Sequence, residues 1–442
     1  MFLQIDKMKN ILKKIIVLII TWQAKIVLKK YKPKIIAITG SVGKTSTKDA
    51  IFTILSKFKT VRKSEKSFNS EIGLPLTILG CPNGWSSLIT WIENITKGFI
   101  LILFNKSYPE YLVLEIGVGK PGDIKKNVAP WLAPDIVVIT RFPDKPVHIE
   151  FFGSVENIIE EKSALAYSLK KDGVLILNHD DEKVYNVHNK ANRRTVSFGL
   201  ASNATYKATY PVYINTVVGG VETTRGISFK LEYDGHTFPV MLPHIVGMNF
   251  IGSALSAIAV ASELGCDLLT SINYISEYKT PNGRLSLVEG MNESMIIDDT
   301  YNSSPVAALA ALEVLKEMKA KRKIAVLGDM LELGKYTVEE HHNLGKEVAS
   351  LAQMLVLVGP RAKFIAEGAI ENGFNGKNLY SFDTSITASK FLEGVIEKGD
   401  LVLVKGSQGV RLERIVEVIM EHKELKGKLL CRQEKEWKSK NN

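Results

Sequence analysis

The strongest chemical signal in this chain of 442 residues is a glycine turn between a buried apolar run and a helical pattern. Two glycines allow the backbone to curl so that its N–H groups face a polyphosphate. A lysine and the helix N-terminus add positive potential, and a threonine hydroxyl can bind Mg²⁺. A glycine turn can also serve only to connect a strand to a helix. The run Gly-Lys-Thr in that position favours nucleotide binding. The predicted nucleotide-binding residues are Gly40, Ser41, Val42, Gly43, Lys44, Thr45 and Ser46.

A carboxylate stands where it could hold a metal beside that nucleotide. Glu115 ends the apolar run Tyr-Leu-Val-Leu-Glu, and ligands of open α/β sheets bind at the carboxyl ends of the strands. A helix-capping acid is the alternative, but the strand-end position favours a magnesium ligand. His148 and Lys162 are weak signals on their own, because a lone histidine is usually structural and a lone lysine is usually a solvated charge.

Short apolar strands alternate with helical patterns around these residues, as a parallel sheet covered on both faces requires. Polar and β-branched residues from Thr195 to Pro243 predict an antiparallel excursion before a helix at 251–264. The sequence thus predicts an α/β fold, with a P-loop-type central domain and a smaller Rossmann-like C-terminal domain. The predicted strands of the two domains are 35–39, 111–116, 135–140 and 174–178, then 295–299, 323–327, 354–358, 378–382 and 400–404.

Turn-forming residues and the distribution of charge divide the chain into four segments. Residues 1–33 form a basic amphipathic helix, 34–280 the nucleotide-binding central domain and 281–425 the C-terminal domain, with Pro281-Asn282-Gly283 in the hinge. Residues 426–442 form a charged tail, and we expect the last twenty residues of the chain to be frayed. Helical patterns between the strands of the central domain include 45–56 and 155–169.

The charge distribution decides which partners are expected. Nine lysines and no acid lie between Lys7 and Lys34, so this segment supplies +9 of the net +10. We therefore predict no nucleic-acid partner, since such proteins carry a basic face on the folded body. The apolar part of the segment is too short to span a bilayer. It forms either a helix on an anionic membrane surface or one packed on the protein's own body. Three scattered cysteines favour a reducing cytoplasm, and we expect a monomer.

Several separate runs resemble the Mur ligases, and within that family the type that adds D-alanyl-D-alanine to UDP-N-acetylmuramoyl-tripeptide. The resemblance extends over residues 34–420, and several motifs in order are more specific than one. The runs are Gly-Ser-Val-Gly-Lys-Thr-Ser-Thr at 40–47, Phe-Asn-Ser-Glu-Ile-Gly-Leu-Pro-Leu-Thr at 68–77, Glu-Ile-Gly-Val-Gly-Lys-Pro-Gly-Asp-Ile at 115–124, His-Ile-Glu-Phe-Phe-Gly-Ser at 148–154, Asn-Gly-Arg at 282–284, Ile-Asp-Asp-Thr-Tyr-Asn-Ser-Ser-Pro at 297–305, Leu-Gly-Asp-Met-Leu-Glu-Leu-Gly at 327–334 and Val-Lys-Gly-Ser-Gln-Gly-Val-Arg-Leu-Glu at 404–413.

The resemblance implies an ATP-dependent ligase that activates a carboxylate as an acyl phosphate and couples it to an amino acid or dipeptide amine. It implies two Mg²⁺ ions, held by Thr45, Glu115, His148 and a carbamylated Lys162, with Lys44 as a further catalytic residue. Nucleotide contacts would also come from the residues Asn249, Arg284, Asp299 and Asn302. The implied substrate-binding residues are Asn69, Lys405 and Arg411.

Two departures from the family pattern qualify these implications. The phosphate loop begins at Gly40, which leaves no room for the family's N-terminal UDP-sugar domain, so a lipid-linked or simpler carboxylate is also considered. Asn249 and Ser253 stand where the family usually has histidine and asparagine near the adenine. The alternative functions are a Mur-type amide ligase of another pathway, of the folylpolyglutamate or poly-γ-glutamate type, and a non-catalytic nucleotide-binding partner subunit.

Overall fold

Parallel pairing of short, buried strands builds the first half of the chain. The computed structural model describes residues 2–65, 71–84, 87–142, 149–218 and 221–438. Within these ranges, nine strands form one sheet in the order β2-β3-β1-β4-β5-β6-β7-β8-β9. The strands are β1 (Lys34–Thr39), β2 (Val61–Lys63), β3 (Tyr111–Glu115), β4 (Ile136–Ile139), β5 (Val174–Asn178), β6 (Arg194–Gly199), β7 (Tyr206–Val218), β8 (Val221–Tyr233) and β9 (His236–Leu242).

Helices cover this sheet, as the near-continuous apolar strands require. The central strand β1 pairs in parallel with both β3 and β4, so their carboxyl ends meet at one edge. The helices of this half are α1 (Phe2–Tyr31), α2 (Lys44–Leu55), α3 (Gly73–Leu79), α4 (Leu88–Leu103), α5 (Ile149–Phe152), α6 (Val155–Tyr167), α7 (Glu182–Tyr185), α8 (His188–Ala191), α9 (Ile251–Glu263) and α10 (Leu268–Ile275).

The predicted β excursion is present but begins later than expected. Strand β6 still pairs in parallel with β5, and the antiparallel part consists of β7, β8 and β9. Val196 and Phe198 are buried in β6, which explains its place in the parallel sheet. The excursion therefore extends the main sheet.

The second half forms a smaller α/β unit. Within the described chain its six strands take the order β10-β11-β15-β12-β13-β14, and all pairs are parallel except β10 with β11. The strands are β10 (Ser286–Gly290), β11 (Ser294–Asp299), β12 (Arg322–Gly328), β13 (Met354–Val358), β14 (Leu379–Phe382) and β15 (Asp400–Lys405). The helices are α11 (Pro305–Glu317), α12 (Thr337–Val348), α13 (Lys363–Glu371), α14 (Ser385–Val395), α15 (Glu413–Ile419), α16 (Lys426–Leu429) and α17 (Lys435–Lys438). The mixed α/β fold predicted from the sequence is confirmed.

Helix α1 packs on the body of the protein. Ile20, Ala24 and Val27 lie one helical turn apart and are fully buried. The amide of Gln23 donates a 2.9 Å hydrogen bond to the Ile95 carbonyl of α4. Among the described helices, none has the length and apolar character needed to cross a membrane.

The tail is not frayed along its whole length, and that expectation was wrong for residues 430–432. Leu430 and Cys431 are buried. The Arg432 guanidinium donates to the carbonyls of Thr300 and Tyr301 and to Glu413. This part of the tail is therefore anchored beside β11.

Candidate active site

The loop after β1 has the curled backbone that the sequence predicts. Gly40 and Gly43 have φ of 139° and 89°, values that strain other residues. A Cβ atom at Gly40 would lie 2.0 Å from Thr140 Oγ1. The Thr140 hydroxyl donates a 2.6 Å hydrogen bond to the carbonyl of Val42 and so fixes the loop against β4. The loop leads directly into the N-terminus of α2, where an anion is stabilised.

Thr45 is contacted from both halves of the chain. Its hydroxyl lies 3.2 Å from Glu115 Oε1, at the end of the adjacent strand β3. The Arg284 guanidinium, from the second half, donates to the same hydroxyl at 3.2 Å and stacks 4.3 Å from the Tyr301 ring. A hydroxyl and a carboxylate at this distance offer two oxygen ligands of the kind Mg²⁺ prefers.

Lys44 curls back over its own loop. Its ammonium donates to the carbonyls of Gly40 at 2.9 Å and Ser41 at 3.3 Å. Burial lowers its pKa, and so does the positive charge of Arg284, whereas Glu115 acts in the opposite direction. A polyphosphate at the loop would therefore meet a poorly solvated cation that gains from a negative partner.

Lys162 lies on the other side of the loop, although it follows Ser41 by more than a hundred residues. Helix α6 presents its side chain, which is 4% exposed. Its amine donates a 2.8 Å hydrogen bond to Ser41 Oγ. Burial lowers the pKa of Lys162 far below its ordinary value, and the nearby Lys44 lowers it further. Burial thus favours the neutral form of this amine, which is the nucleophilic form.

Three predicted residues of the second half form a cluster of their own. Asp299 Oδ2 lies 2.6 Å from the Lys405 ammonium, which also donates to the carbonyl of Asn302 at 3.1 Å. Lys405 and Asp299 are almost fully buried, while Asn302 is exposed. The family resemblance implied a substrate contact for Lys405 and nucleotide contacts for the other two, yet all three share one cluster.

The structure does not bring the remaining predicted residues together in one cluster. Arg411 is buried and donates to Glu413 at 2.6 Å and to the Trp437 carbonyl at 2.9 Å, so its guanidinium is held within the second half. Asn249 is exposed, in a short 3₁₀ turn before α9. Ser253 of α9 lies 3.3 Å from the hydroxyl of Thr47 in α2. Asn69 and His148 lie outside the described residues.

Three further residues support the site and were missed by sequence reasoning. Lys48 is buried on α2, with its ammonium 3.7 Å from Glu115 Oε2. Thr140 braces the loop. Glu161 accepts hydrogen bonds from the backbone N–H groups of Gly122, Ile124 and Lys125, and so fixes their loop next to Lys162. Lys48 could have been suspected from its spacing of four residues after Lys44, which places both on one side of α2.

The described residues contain no cluster of three or more histidine, cysteine, aspartate or glutamate side chains that could hold a metal by themselves. The oxygen ligands in the described part of the site are the Thr45 hydroxyl and the Glu115 carboxylate.

Comparisons with known proteins agree with this geometry. Residues 38–261 match the Mur ligase middle domain, and residues 283–408 match the Mur ligase glutamate ligase domain. The UDP-N-acetylmuramoyl-tripeptide–D-alanyl-D-alanine ligase of Bacillus subtilis is 30% identical over 401 residues, which cover 90% of this chain and 78% of that protein.

Solved structures give the same result. The crystal structure of MurF from Acinetobacter baumannii superposes with a TM-score of 0.74 at 25% identity, covering 91% of this chain and 80% of that one. The MurF ligase from Thermotoga maritima in complex with ADP gives a TM-score of 0.72 at 25% identity, covering 91% and 83%.

Proposed function

Because this chain belongs to the Mur ligase family, we propose that it joins a peptide carboxylate to an amine at the expense of ATP, through an acyl phosphate. One observation carries the proposal: Glu115 from β3 and Arg284 from the second half converge on the hydroxyl of Thr45. At the mouth of the phosphate loop, this convergence supplies two oxygen groups suited to Mg²⁺ and a guanidinium suited to phosphate, which supports the proposal.

The residues present fit a magnesium-bound nucleotide. The loop N–H groups and the α2 N-terminus suit the phosphates, and Thr45 with Glu115 suits one metal ion. When bound, ATP and Mg²⁺ supply the phosphoryl group and neutralise part of its charge. Lys44 and Arg284 then stabilise the negative charge that develops during transfer.

Activation is needed because a free carboxylate would have to expel an oxide ion when an amine attacks it. Phosphorylation of the carboxylate oxygen gives the acyl group a good leaving group. The amine then attacks the carbonyl carbon, the C–O bond to phosphate breaks, and the amine loses a proton. Asp299, Asn302, Lys405 and Arg411 belong to the half that we propose closes over this intermediate and excludes water.

Carbamylation of Lys162 forms part of this proposal. Its neutral amine can attack CO₂ to give a carbamate, with release of one proton, and the product is an anion beside Lys44. A carbamate could act as a second metal ligand together with His148. The lowered pKa of Lys162 supports this step, because only the neutral amine attacks.

The proposed substrates are a muramoyl-peptide-type carboxylate and D-alanyl-D-alanine, as in the named relatives. The carrier of the carboxylate could be a nucleotide or a lipid. We place the enzyme in the cytoplasm as a monomer, with residues 7–34 in peripheral contact with the inner face of the membrane. The exposed lysines of α1 support that contact.

An ATPase screen across carboxylate and amine pairs tests the reaction, with mass spectrometry of the product. We expect ADP release that requires both a UDP-muramoyl-tripeptide or its lipid-linked equivalent and D-alanyl-D-alanine. Glutamate addition to a folate or to a glutamyl chain would instead assign another Mur-type pathway. ATP binding without any ligated product would identify a non-catalytic partner subunit and sink the proposal.

A further inference from the structure

Helix α4 and the outer side of α1 expose an unusually large set of apolar side chains. Ile89 and Leu103 are 71% exposed and Leu18 is 69% exposed. Apolar patches of this kind on a protein surface mark sites of interaction. The full set, which we call the α1–α4 face, consists of Ile15, Leu18 and Trp22 with Leu88, Ile89, Ile92, Phe99, Ile100, Leu103 and Phe104.

The two helices lie side by side on the body, so their outer sides form one surface. Trp22 of α1 and Phe99 of α4 are in contact, with ring centroids 6.2 Å apart. Lys30 donates to the carbonyls of Leu101 and Phe104 at 3.0 and 2.8 Å, which fixes the end of α4 against α1. A Cβ atom at Gly98 would lie 2.3 Å from Gln23 Oε1, so the approach of the helices is close.

Positive charge borders this face. Lys13, Lys14, Lys25 and Lys29 of α1 are exposed. Beside α1 lies a groove of about 670 Å³, whose lining includes three of these lysines together with Lys126, Leu18 and Trp131. Its four lysines outnumber the one acid of the lining, Glu71. Leu18 thus belongs to both the apolar face and the basic groove.

We propose that the α1–α4 face docks on a bilayer that contains anionic lipids. The apolar side chains of α4 and α1 enter the boundary between headgroups and acyl chains, and the lysines bind lipid phosphates. This inference rests on the proposed membrane contact of residues 7–34, but it assigns most of the apolar anchor to α4. It is independent of the ligase reaction.

Charge complementarity favours a lipid surface over a second copy of the chain. In a two-fold contact the same patch lies on both sides, so both copies would bring these lysines to one interface. Like charges at an interface are unfavourable. An anionic bilayer satisfies both the apolar centre and the basic border.

Vesicle co-sedimentation of the full chain, without ATP, tests the proposal. The vesicles contain phosphatidylcholine alone or mixed with phosphatidylglycerol. We expect binding to the anionic vesicles that weakens with added salt. The Ile89→Glu/Ile92→Glu variant should bind at least tenfold more weakly, as should the milder Leu88→Ser/Leu103→Ser variant, which guards against misfolding.

A matched control uses Ile370→Glu/Ile386→Glu, because these isoleucines are 54% and 52% exposed on α13 and α14. It should bind vesicles like the unmodified protein. Equal binding by the α4 variants and this control would overturn the proposal, and so would failure of the unmodified chain to bind. A dimer in solution that the α4 variants dissociate would assign the face to self-association instead. ATP-dependent ligation is measured in a separate assay. A failure of vesicle binding therefore does not affect the interpretation of the ligation assay, and the reverse also holds.

Discussion

The two halves of the site hold their lysines differently. Lys44 and Lys162, in the first half, donate to loop carbonyls and to a serine hydroxyl, and burial lowers the pKa of both. Lys405, in the second half, is buried against the Asp299 carboxylate at 2.6 Å. The first half therefore gains when a polyanion arrives, whereas the second already contains a neutralised pair. We infer that the first half binds phosphate and that the second provides a preformed closing surface.

Breaking the Asp299–Lys405 pair should have the largest effect. Lys405→Met leaves a buried carboxylate without its cation, so we expect the free energy of unfolding to fall by about 3–5 kcal/mol. Urea denaturation of the intact chain measures this change. Lys398→Met is the matched control, since it removes an exposed pair with Glu293 and should change little. If the two variants were equally stable, the second half would not be a preformed unit.

Removing Lys44 should affect catalysis and leave stability intact. Lys44→Ala removes charge stabilisation of about 3 kcal/mol or more at the transferred phosphoryl group, which is a fall of roughly 150-fold in ATP turnover. The free energy of unfolding should stay the same or rise, because a desolvated cation is lost. ADP release and urea denaturation on the same sample separate the two effects, with the exposed Lys57→Ala as control. A stability loss as large as that of Lys405→Met would erase the contrast between the halves.

The carbamate proposal gives the next prediction. Lys162→Ala should lower ligation by roughly 100-fold, or about 2.7 kcal/mol, because the proposed metal ligand is lost. Added bicarbonate or a short carboxylic acid should partly restore activity by placing an anion in the space. Lys170→Ala, an exposed lysine paired with Asp135, should be fully active with or without the additive. A Lys162→Ala protein with normal activity would rule out the carbamate.

Most of the main strands and the phosphate loop could be predicted, because their signals are local. Strand β13 was predicted with its exact bounds, and β1 and α2 to within one residue. The antiparallel edge strand β10 was not, since Ser286–Gly290 is short and without strong alternation. Helix α4 was also missed. Asn94 and Gly98 are buried in this helix while Ile89 is exposed, so the apolar pattern does not mark the buried side.

The site was harder to predict where contacts are long-range. Lys162 and Ser41 are joined at 2.8 Å, and nothing local to either residue encodes that contact. Arg432 lies in a segment whose lysines and glutamates favour a solvated tail, yet it is buried against Glu413. Tertiary packing decided these cases. The family resemblance supplied the role of Lys162, whereas it gave no warning of Lys48 beside Glu115.

The last test concerns Asp298, a buried carboxyl group of the second half. It lies on the strand that also carries Asp299. Burial raises the pKa of Asp298 to about 6, while hydrogen bonds from Thr300 act in the opposite direction. Since the folded state binds the proton more tightly, the stability this group contributes is present below about pH 4 and is lost as pH rises through 6. Asp298→Asn stays neutral and keeps an oxygen for Thr300, so its free energy of unfolding should exceed that of the unmodified protein by about 3 kcal/mol at pH 8 and by little at pH 4.

Urea denaturation across this pH range checks the sign, with the exposed Asp383→Asn as a control whose stability should follow that of the unmodified protein. A loss of stability in Asp298→Asn at pH 8 would mean that the ionised carboxylate is held by the nearby Arg432. That result would make Asp298 a second neutralised charge like Asp299. The structure argues against it, because the Arg432 guanidinium already donates to Glu413 and to the carbonyls of Thr300 and Tyr301. A gain in the free energy of unfolding above pH 6 would instead show that no cation neutralises the ionised Asp298. The second half would then tolerate this one charge because the neighbouring Asp299 is already paired with Lys405.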